Sequence, residues 1–343
     1  MTKALIIGAG PAGLSAAYYG VRKDISVVVY EADSRDKIPS KPCGEAIPKF
    51  VFDYLPKDIE KDFILNHIKR AIFYFNGEFI REFKNMPLLE GFIIDKRKLL
   101  LNLAELATSM GAKIIWGNPL RVNEVLKMMD TYDYVIDATG LGIIARKFLD
   151  YKNYKLIPVL QAYARGDTLP DDTIVMWGVD RGYAWVFPRG DKYNIGVGGV
   201  YKDSRELHKI LKQVISHFKL DLVSPIRGSA VSVNGPLKKL VRGKLRVVGE
   251  AGGMVMPTTG EGIRFAIAAG KMVFEENYEK MFWKTFGWKL KNGVKLLNLL
   301  LKLKNKAKLA RIAKDDTYFA FFEGIYDLRK ILSVGIKYVL TRG

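Results

Sequence analysis

The chain has 343 residues, enough for two lobes or for one large domain with a second sheet embedded in it. Its single cysteine, Cys43, excludes an intramolecular disulfide, and one cysteine with three histidines shows no spacing of metal ligands, so we expect no metal site. The formal net charge of +19 favours a polyanionic partner, either nucleic acid or an anionic lipid surface.

The first residues, MTKALIIGAG, show neither the basic region nor the cleavage site of a signal peptide. No apolar run approaches the roughly 18 residues that a membrane-spanning helix needs. The longest candidate, VKLLNLLLKLK, is interrupted by lysines. We therefore expect a cytoplasmic protein that does not cross a membrane.

The N-terminal segment ALIIGAGPAGLSAAYYG predicts a buried strand, a glycine turn and a helix. Gly8 permits the tight turn, Gly10 lets the backbone approach a pyrophosphate, and Gly13 lets the helix pack close to the strand. A second strand, SVVVYEA, ends at Glu31, 18 residues beyond Gly13, where a carboxylate binds a ribose hydroxyl. Together these features indicate a dinucleotide site.

The middle of the chain predicts a second sheet. RAIFYFNGEFIREF is a hairpin with Asn76-Gly77 at its turn, and further strands are expected near 156–166, 173–178, 183–188 and 193–200. In GYAWVFPRGDKYNIGVGG, alternation places Tyr183, Trp185 and Phe187 on one face, while the next strand carries Gly196 and Gly198. SRELHKILKQVISHF reads as an amphipathic helix.

A second glycine-rich segment, LRVVGEAGGMVMPTTGEGIRFAIAAGKMV, contains Gly249, Glu250, Gly260 and Gly262 before a helix. A ligand that uses two such helix starts is longer than NAD in its usual pose, and FAD fits. The N-terminus of the helix after Gly262 would stabilise negative charge on a reduced flavin. YDYVIDATGLGIIARK, between the two segments, lacks a second complete G-x-G-x-x-G for a bound NAD(P)H.

These segments, in this order, resemble the FAD-dependent superfamily of the p-hydroxybenzoate hydroxylase type. KPCGEAIP, residues 41–48, is similar to the Pro-Cys-Gly segment of the geranylgeranyl reductase family, which includes the digeranylgeranylglycerophospholipid reductases. The aromatic stretch matches that family's motif Y-x-W-x-F-P-x(7–8)-G-x-G at every named position. The resemblance covers about residues 1–280 and implies reduction of isolated C=C bonds in prenyl chains.

The resemblance implies an α/β (α+β) fold in which a Rossmann-like FAD-binding domain (1–67, 93–150 and 235–280) is interleaved with a mixed β-sheet substrate domain (68–92 and 151–234). A basic helical region, 281–343, follows. Cys43 is the predicted catalytic residue. The predicted FAD-binding residues are Gly8, Gly10, Ala12, Gly13, Glu31, Cys43, Gly44, Lys96, Leu120, Gly140, Gly249, Glu250, Gly260, Gly262 and Ile263. The predicted substrate-binding residues are Tyr183, Trp185, Phe187, Pro188, Gly196 and Gly198.

The roof of the flavin would then be a sheet whose aromatic face lines a tunnel for a prenyl chain, with Gly196 and Gly198 leaving room for it. The alternative is a core sheet that uses aromatic side chains for volume. An isolated alkene needs a hydride and a proton at nearly the same time, and Cys43, Tyr183 or an ordered water would donate the proton.

Residues 281–314 contain ten Lys or Arg and no acid. Leu290, Val294, Leu297 and Leu301 recur at helical spacing, and Phe282, Trp283, Phe286 and Trp288 cluster at one end. This pattern is typical of helices that lie in a membrane interface, so we expect a peripheral protein on the inner face of the membrane. A solvated face packed on the protein is the alternative, and nucleic acid is disfavoured because no nucleic-acid fold accompanies the charge.

The first functional hypothesis is a prenyl-lipid reductase. The second is a flavin-dependent halogenase or monooxygenase acting on a small aromatic, because GYAWVFP is close to the halogenase motif G-W-x-W-x-I-P. The third is a non-enzymatic flavoprotein that senses redox state at a membrane. Ferredoxin, NAD(P)H and a deazaflavin all remain open as the electron donor.

Overall fold

The structure is a computed structural model that describes residues 1–84, 90–141, 155–201 and 203–313, with residues 144, 147, 315, 318 and 323. The strands are β1 (Lys3–Ile7), β2 (Ser26–Tyr30), β3 (Ala46–Pro48), β4 (Ile64–Ile68), β5 (Arg70–Phe75), β6 (Glu78–Lys84), β7 (Gly91–Ile94), β8 (Lys113–Ile115), β9 (Tyr134–Asp137), β10 (Leu156–Arg165), β11 (Thr173–Val179), β12 (Gly182–Arg189), β13 (Lys192–Gly199), β14 (Asp221–Leu222), β15 (Arg227–Ser232), β16 (Val241–Arg242) and β17 (Leu245–Val247). The α-helices are α1 (Pro11–Val21), α2 (Lys96–Ser109), α3 (Val122–Met128), α4 (Ser204–His217), α5 (Ile263–Met272), α6 (Tyr278–Phe282), α7 (Trp288–Lys302) and α8 (Lys306–Ile312), with a π-helical turn, Trp283–Gly287, before α7.

The first sheet has the order β16-β17-β9-β1-β2-β8, and its strands run parallel except for β16. Parallel strands with helices against them read as continuous apolar runs, as KALII in β1 does. Helices α1 and α5 pack tightly here, because Gly270 of α5 lies against the backbone of Ala12 and Ser15 Oγ donates to the Ile267 carbonyl over 2.7 Å. This packing brings the starts of both helices to one edge of the sheet.

The second sheet has the order β14-β10-β13-β12-β11-β5-β6, with β15 also pairing with β10. The predicted hairpin is confirmed as β5–β6, and Asn76 and Gly77 at its turn have the positive φ angles, 48° and 92°, that such a turn requires. The predicted strands from 156 to 200 and the amphipathic helix, α4, are also confirmed. Helix α4 covers one face of this sheet with Leu207, Leu211 and Val214.

A small antiparallel sheet, β3-β7-β4, lies beside these two. The predicted fold class, a Rossmann-like domain combined with a mixed sheet and a helical C-terminal region, is confirmed. The predicted domain boundaries stay a prediction, and residues 148–154 and 324–343 lie outside the described residues. Within the described part of the chain, no helix is both long enough and apolar enough to span a membrane.

Candidate active site

The first glycine turn combines two packing glycines with one that faces open space. A Cβ on Gly8, whose φ is +105°, would lie 2.4 Å from the Ala138 carbonyl oxygen, and a Cβ on Gly13 would lie 1.9 Å from the Gly8 carbonyl oxygen. Gly10 has no atom within 4 Å of the position its Cβ would take, and it lines a cavity at the N-terminus of α1. A pyrophosphate has room to approach the backbone there.

Glu31 lies at the end of β2 with its carboxylate turned toward this glycine turn. The carboxylate accepts hydrogen bonds from the backbone N–H groups of Ala9 and of Asp33, the latter over 2.9 Å. Glu31 also lines the cavity. A carboxylate held by the turn itself has the position in which the sequence predicts a contact with a ribose.

One cavity of about 880 Å³ joins the two glycine-rich turns and continues beneath the second sheet. The predicted cofactor residues that line it are Gly8, Gly10, Ala12, Glu31, Cys43, Gly44, Lys96, Leu120, Gly140, Gly249, Glu250, Gly260, Gly262 and Ile263. Gly13 lies behind the turn and serves helix packing instead. An elongated cavity with a helix start at each end has the shape that FAD requires.

Alternation along the second sheet produces an apolar roof for this cavity. Tyr183, Trp185 and Phe187 of β12 face the cavity, while Ala184 and Val186 face α4. Strands β10 and β11 of the same sheet add Val159, Ile174 and Met176 to the cavity side. The Tyr183 and Trp185 ring centroids are 6.1 Å apart, and those of Trp185 and Phe187 are 6.2 Å apart. The predicted aromatic roof is thus present as geometry.

Two residues predicted to contact substrate do not line the cavity. Pro188 faces the other side of the sheet from Phe187, because the side chains of successive residues in a strand point to opposite faces. A Cβ on Gly196 would lie 2.2 Å from the Trp185 ring, so that ring fills the space that was expected to hold a chain. Gly198 does line the cavity. The glycine at 196 therefore makes room for an indole.

The loop that carries Cys43 is bound to the sheet by a buried carboxylate that the sequence analysis missed. Glu45 is 5% exposed, and it accepts hydrogen bonds from Arg189 Nε over 2.7 Å and from Asn194 Nδ2 over 3.0 Å. Asn194 Nδ2 also donates to the Cys43 carbonyl over 2.7 Å. No local sequence pattern marks Glu45, three residues after Pro42, as a site residue, because only the fold brings Arg189 and Asn194 to it.

The second glycine turn carries an ion pair across the cavity. Glu250 pairs with Lys41 and accepts a hydrogen bond from Ser232 N over 2.9 Å. Lys96 is 8% exposed, and its Nζ donates to the Lys41 carbonyl over 3.3 Å. Lys41 thus joins the cysteine loop to the second glycine turn, a role that its sequence position did not reveal.

Tyr183 spans the cavity from roof to floor. Its hydroxyl donates to the Thr259 carbonyl in the loop before α5. Burial raises the pKa of Tyr183 well above its usual value, and the nearby Cys43 adds a smaller effect in the same direction. The phenol therefore keeps its proton at neutral and mildly alkaline pH.

The C-terminal helices pack against the protein rather than standing apart. Phe282 and Phe286 are buried in the core of the first sheet, Leu290 is buried, and Leu297 lines the cavity. The apolar stripe expected to face a membrane therefore packs against the core and the cavity wall. The outward face of α7 carries exposed lysines with Trp288 and Leu299, which are 43% and 40% exposed.

Comparison with known proteins places this geometry among the flavoproteins. Residues 6–54 match the family model of the NAD(P)-binding Rossmann-like domain. Digeranylgeranylglycerophospholipid reductase of Methanococcus vannielii is 27% identical, in an alignment that covers 90% of this chain and 89% of that protein. The chain is similar in sequence to the geranylgeranyl reductases. The resemblance predicted from the two motifs is confirmed.

Solved structures share the fold of this chain. A geranylgeranyl bacteriochlorophyll reductase-like protein of Thermoplasma acidophilum superposes with a TM-score of 0.77 at 22% identity, covering 97% of this chain and 96% of that one. A flavin-dependent brominase superposes with a TM-score of 0.70 at 14% identity, covering 100% of both chains. The predictions of an oxidoreductase and of FAD as its cofactor are confirmed.

Proposed function

We propose that this chain is an FAD-dependent reductase that hydrogenates isolated C=C bonds in prenyl chains, such as the geranylgeranyl chains of membrane lipids. The observation that carries the proposal is the apolar roof over a cavity that continues from the two glycine turns. A polyprenyl chain is flexible, long and apolar, so its transfer from water to such a surface lowers the free energy. The names of the related reductases support the same substrate class.

The predicted FAD-binding residues would hold the cofactor in this cavity, with the adenosine near Gly10 and Glu31 and the ring near Cys43 and α5. Bound FAD in its reduced form supplies hydride chemistry. The protein must then place a proton donor at the other alkene carbon, because an isolated alkene has no carbonyl that could stabilise charge. Cys43 and Tyr183 both line the cavity beside the roof and are the protein's candidates for that donor.

We further propose that the lipid arrives from a membrane surface. Helix α7 contributes Leu297 to the cavity wall, while its opposite face presents exposed lysines. A bilayer attracted to that face would lie beside the cavity wall, which suits a substrate whose headgroup stays outside while its chain enters. The electron donor for the flavin is a separate partner.

The test is anaerobic incubation of the dithionite-reduced, FAD-loaded protein with a geranylgeranyl lipid, followed by mass spectrometry. The expected result is a mass gain in multiples of two hydrogens. Trp185→Phe, in the roof, should lower the rate, whereas Trp177→Phe, on the α4 side of the same sheet, should leave it nearly unchanged. Hydroxylation or halogenation of an aromatic under oxygen, or flavin-dependent membrane binding without turnover, would overturn the proposal.

A further inference from the structure

The backbone at Glu45 has an unusual conformation for a residue with a side chain. Its φ is +61°, in the left-handed region that favours glycine, and it directly follows Gly44. A glutamate held there keeps a carboxylate beneath the second sheet, where it is 5% exposed. A buried carboxylate needs several hydrogen-bond donors to offset the loss of its hydration.

Four donors from four elements surround this carboxylate. They are Arg189 Nε of β12 at 2.7 Å, Asn194 Nδ2 of β13 at 3.0 Å, the Tyr163 hydroxyl of β10 at 3.2 Å, and the backbone N–H of Lys96 at the start of α2 at 3.1 Å. Both carboxylate oxygens are used, since Oε2 accepts from Arg189, Asn194 and Tyr163 and Oε1 accepts from the N–H of Lys96. The side chain therefore joins three strands of the second sheet to the first turn of α2.

One of these donors, Asn194, also holds the cysteine loop against the aromatic roof. Asn194 Nδ2 donates to the Cys43 carbonyl over 2.7 Å, and Asn194 Oδ1 accepts from Trp185 Nε1 over 3.0 Å. Gly44 lies against the same rings, since a Cβ there would be 3.4 Å from Phe187 and 3.6 Å from Trp185 Nε1. The Glu45 N–H points to Cys43 Sγ over 3.4 Å.

We propose that Glu45 is a positioning residue that fixes Cys43 relative to the Trp185–Phe187 roof, acting through Asn194 and Arg189. This positioning role rests on the proposed function only because the proposed function gives Cys43 a part in the reaction. The geometry itself is independent of any substrate. Removing the charge should release the cysteine loop from the sheet. Glutamine in its place has one accepting oxygen and an NH₂ group that would face the donors.

The experiment uses the fact that Cys43 is the chain's only cysteine, so alkylation reports on this site alone. The rate of iodoacetamide alkylation is measured on the FAD-loaded protein without substrate. Glu45→Gln should alkylate at least about fivefold faster than the wild type, as expected when buried hydrogen bonds that hold a loop are lost. Arg189→Lys, which keeps the charge but not the guanidinium fork, should show a smaller rise in the same direction.

Asp172→Asn is the matched control, since Asp172 also pairs with an arginine of this sheet, Arg70, but contacts no residue of the 41–45 loop. Its alkylation rate should stay within about twofold of the wild type. Rates are compared at temperatures where the variants are equally folded, so global unfolding does not contribute. If Glu45→Gln fails to fold, Arg189→Lys alone decides.

Unchanged rates in a folded Glu45→Gln, or in Arg189→Lys when Glu45→Gln does not fold, would overturn the proposal, as would an equal rise in Asp172→Asn. Because no prenyl lipid is used, this failure is distinguishable from failure of the reduction assay. Reduction of lipid with unaltered alkylation would remove only the positioning role. Faster alkylation without lipid reduction would leave that role standing and remove the substrate.

Discussion

Cys43 and Tyr183 both line the cavity, one from the loop before β3 and the other from strand β12. Cys43 is half-buried, whereas the Tyr183 hydroxyl is engaged with the Thr259 carbonyl. The phenol proton is engaged by the Thr259 carbonyl, so the thiol is the freer of the two donors. The prediction from the sequence that Cys43 is the catalytic residue agrees with this geometry and stays a prediction.

Replacing Cys43 by alanine should therefore lower the rate of lipid reduction by at least about a hundredfold, the low end of what a positioned general acid contributes. FAD binding, measured by the visible absorption of the bound flavin, should persist. Retained activity in Cys43→Ala, together with lost activity in Tyr183→Phe, would move the proton donor to the tyrosine. In that case the raised pKa of Tyr183 predicts no alkaline loss of activity from this group up to about pH 10.

Among elements, the first glycine turn shows that, within six residues, one glycine can serve ligand binding and another can serve helix packing. Gly13 is required because the helix passes against the Gly8 carbonyl, whereas Gly10, with φ −76°, adopts a conformation open to any residue and faces the cavity. Strand β12 follows the same logic, since alternate residues serve the cavity and the α4 side. The helix or strand determines which side chains face a ligand, and the packing around it determines which residues cannot be substituted.

Two alanine substitutions test this division. Gly10→Ala should leave the free energy of unfolding of the apoprotein within about 0.5 kcal/mol of the wild type but weaken FAD binding, because its methyl group enters open cavity space. Gly13→Ala should lower the free energy of unfolding by about 1–3 kcal/mol, since its methyl group meets a backbone oxygen. Thermal unfolding and FAD titration measure both, and equal stability losses in the two variants would contradict the division.

The whole molecule carries a formal net charge of +19, and part of it lies on the outward face of α7. Because Leu290 and Leu297 of α7 face the core and the cavity, a membrane would be attracted by lysines, with Trp288 and Leu299 of this helix available for insertion. Membrane binding of this kind is electrostatic and is weakened by salt.

The protein should accordingly co-sediment with anionic vesicles and be released by high salt, with little binding to neutral vesicles. Each lysine near an anionic surface contributes about 1 kcal/mol, so Lys291→Glu with Lys295→Glu should weaken binding at least about tenfold. Lys209→Glu with Lys212→Glu makes the same charge change on exposed positions of α4 and should have little effect. Equal losses of vesicle binding in the two double variants would mean that the net charge of the whole protein, and not the α7 surface, determines binding.

The sequence by itself determined the two glycine turns, the strand that ends at Glu31, the hairpin at Asn76-Gly77 and the aromatic face of β12. Each of these depends on a local property, either a backbone conformation that glycine permits or the two-residue period of a strand. The tertiary structure alone decided that Trp185 fills the space at Gly196, that Leu290 and Leu297 of α7 face inward, and that Glu45 accepts from Arg189 and Asn194. Those contacts join positions as far as 149 residues apart, and no local pattern records which distant donors a folded chain will bring to a buried carboxylate.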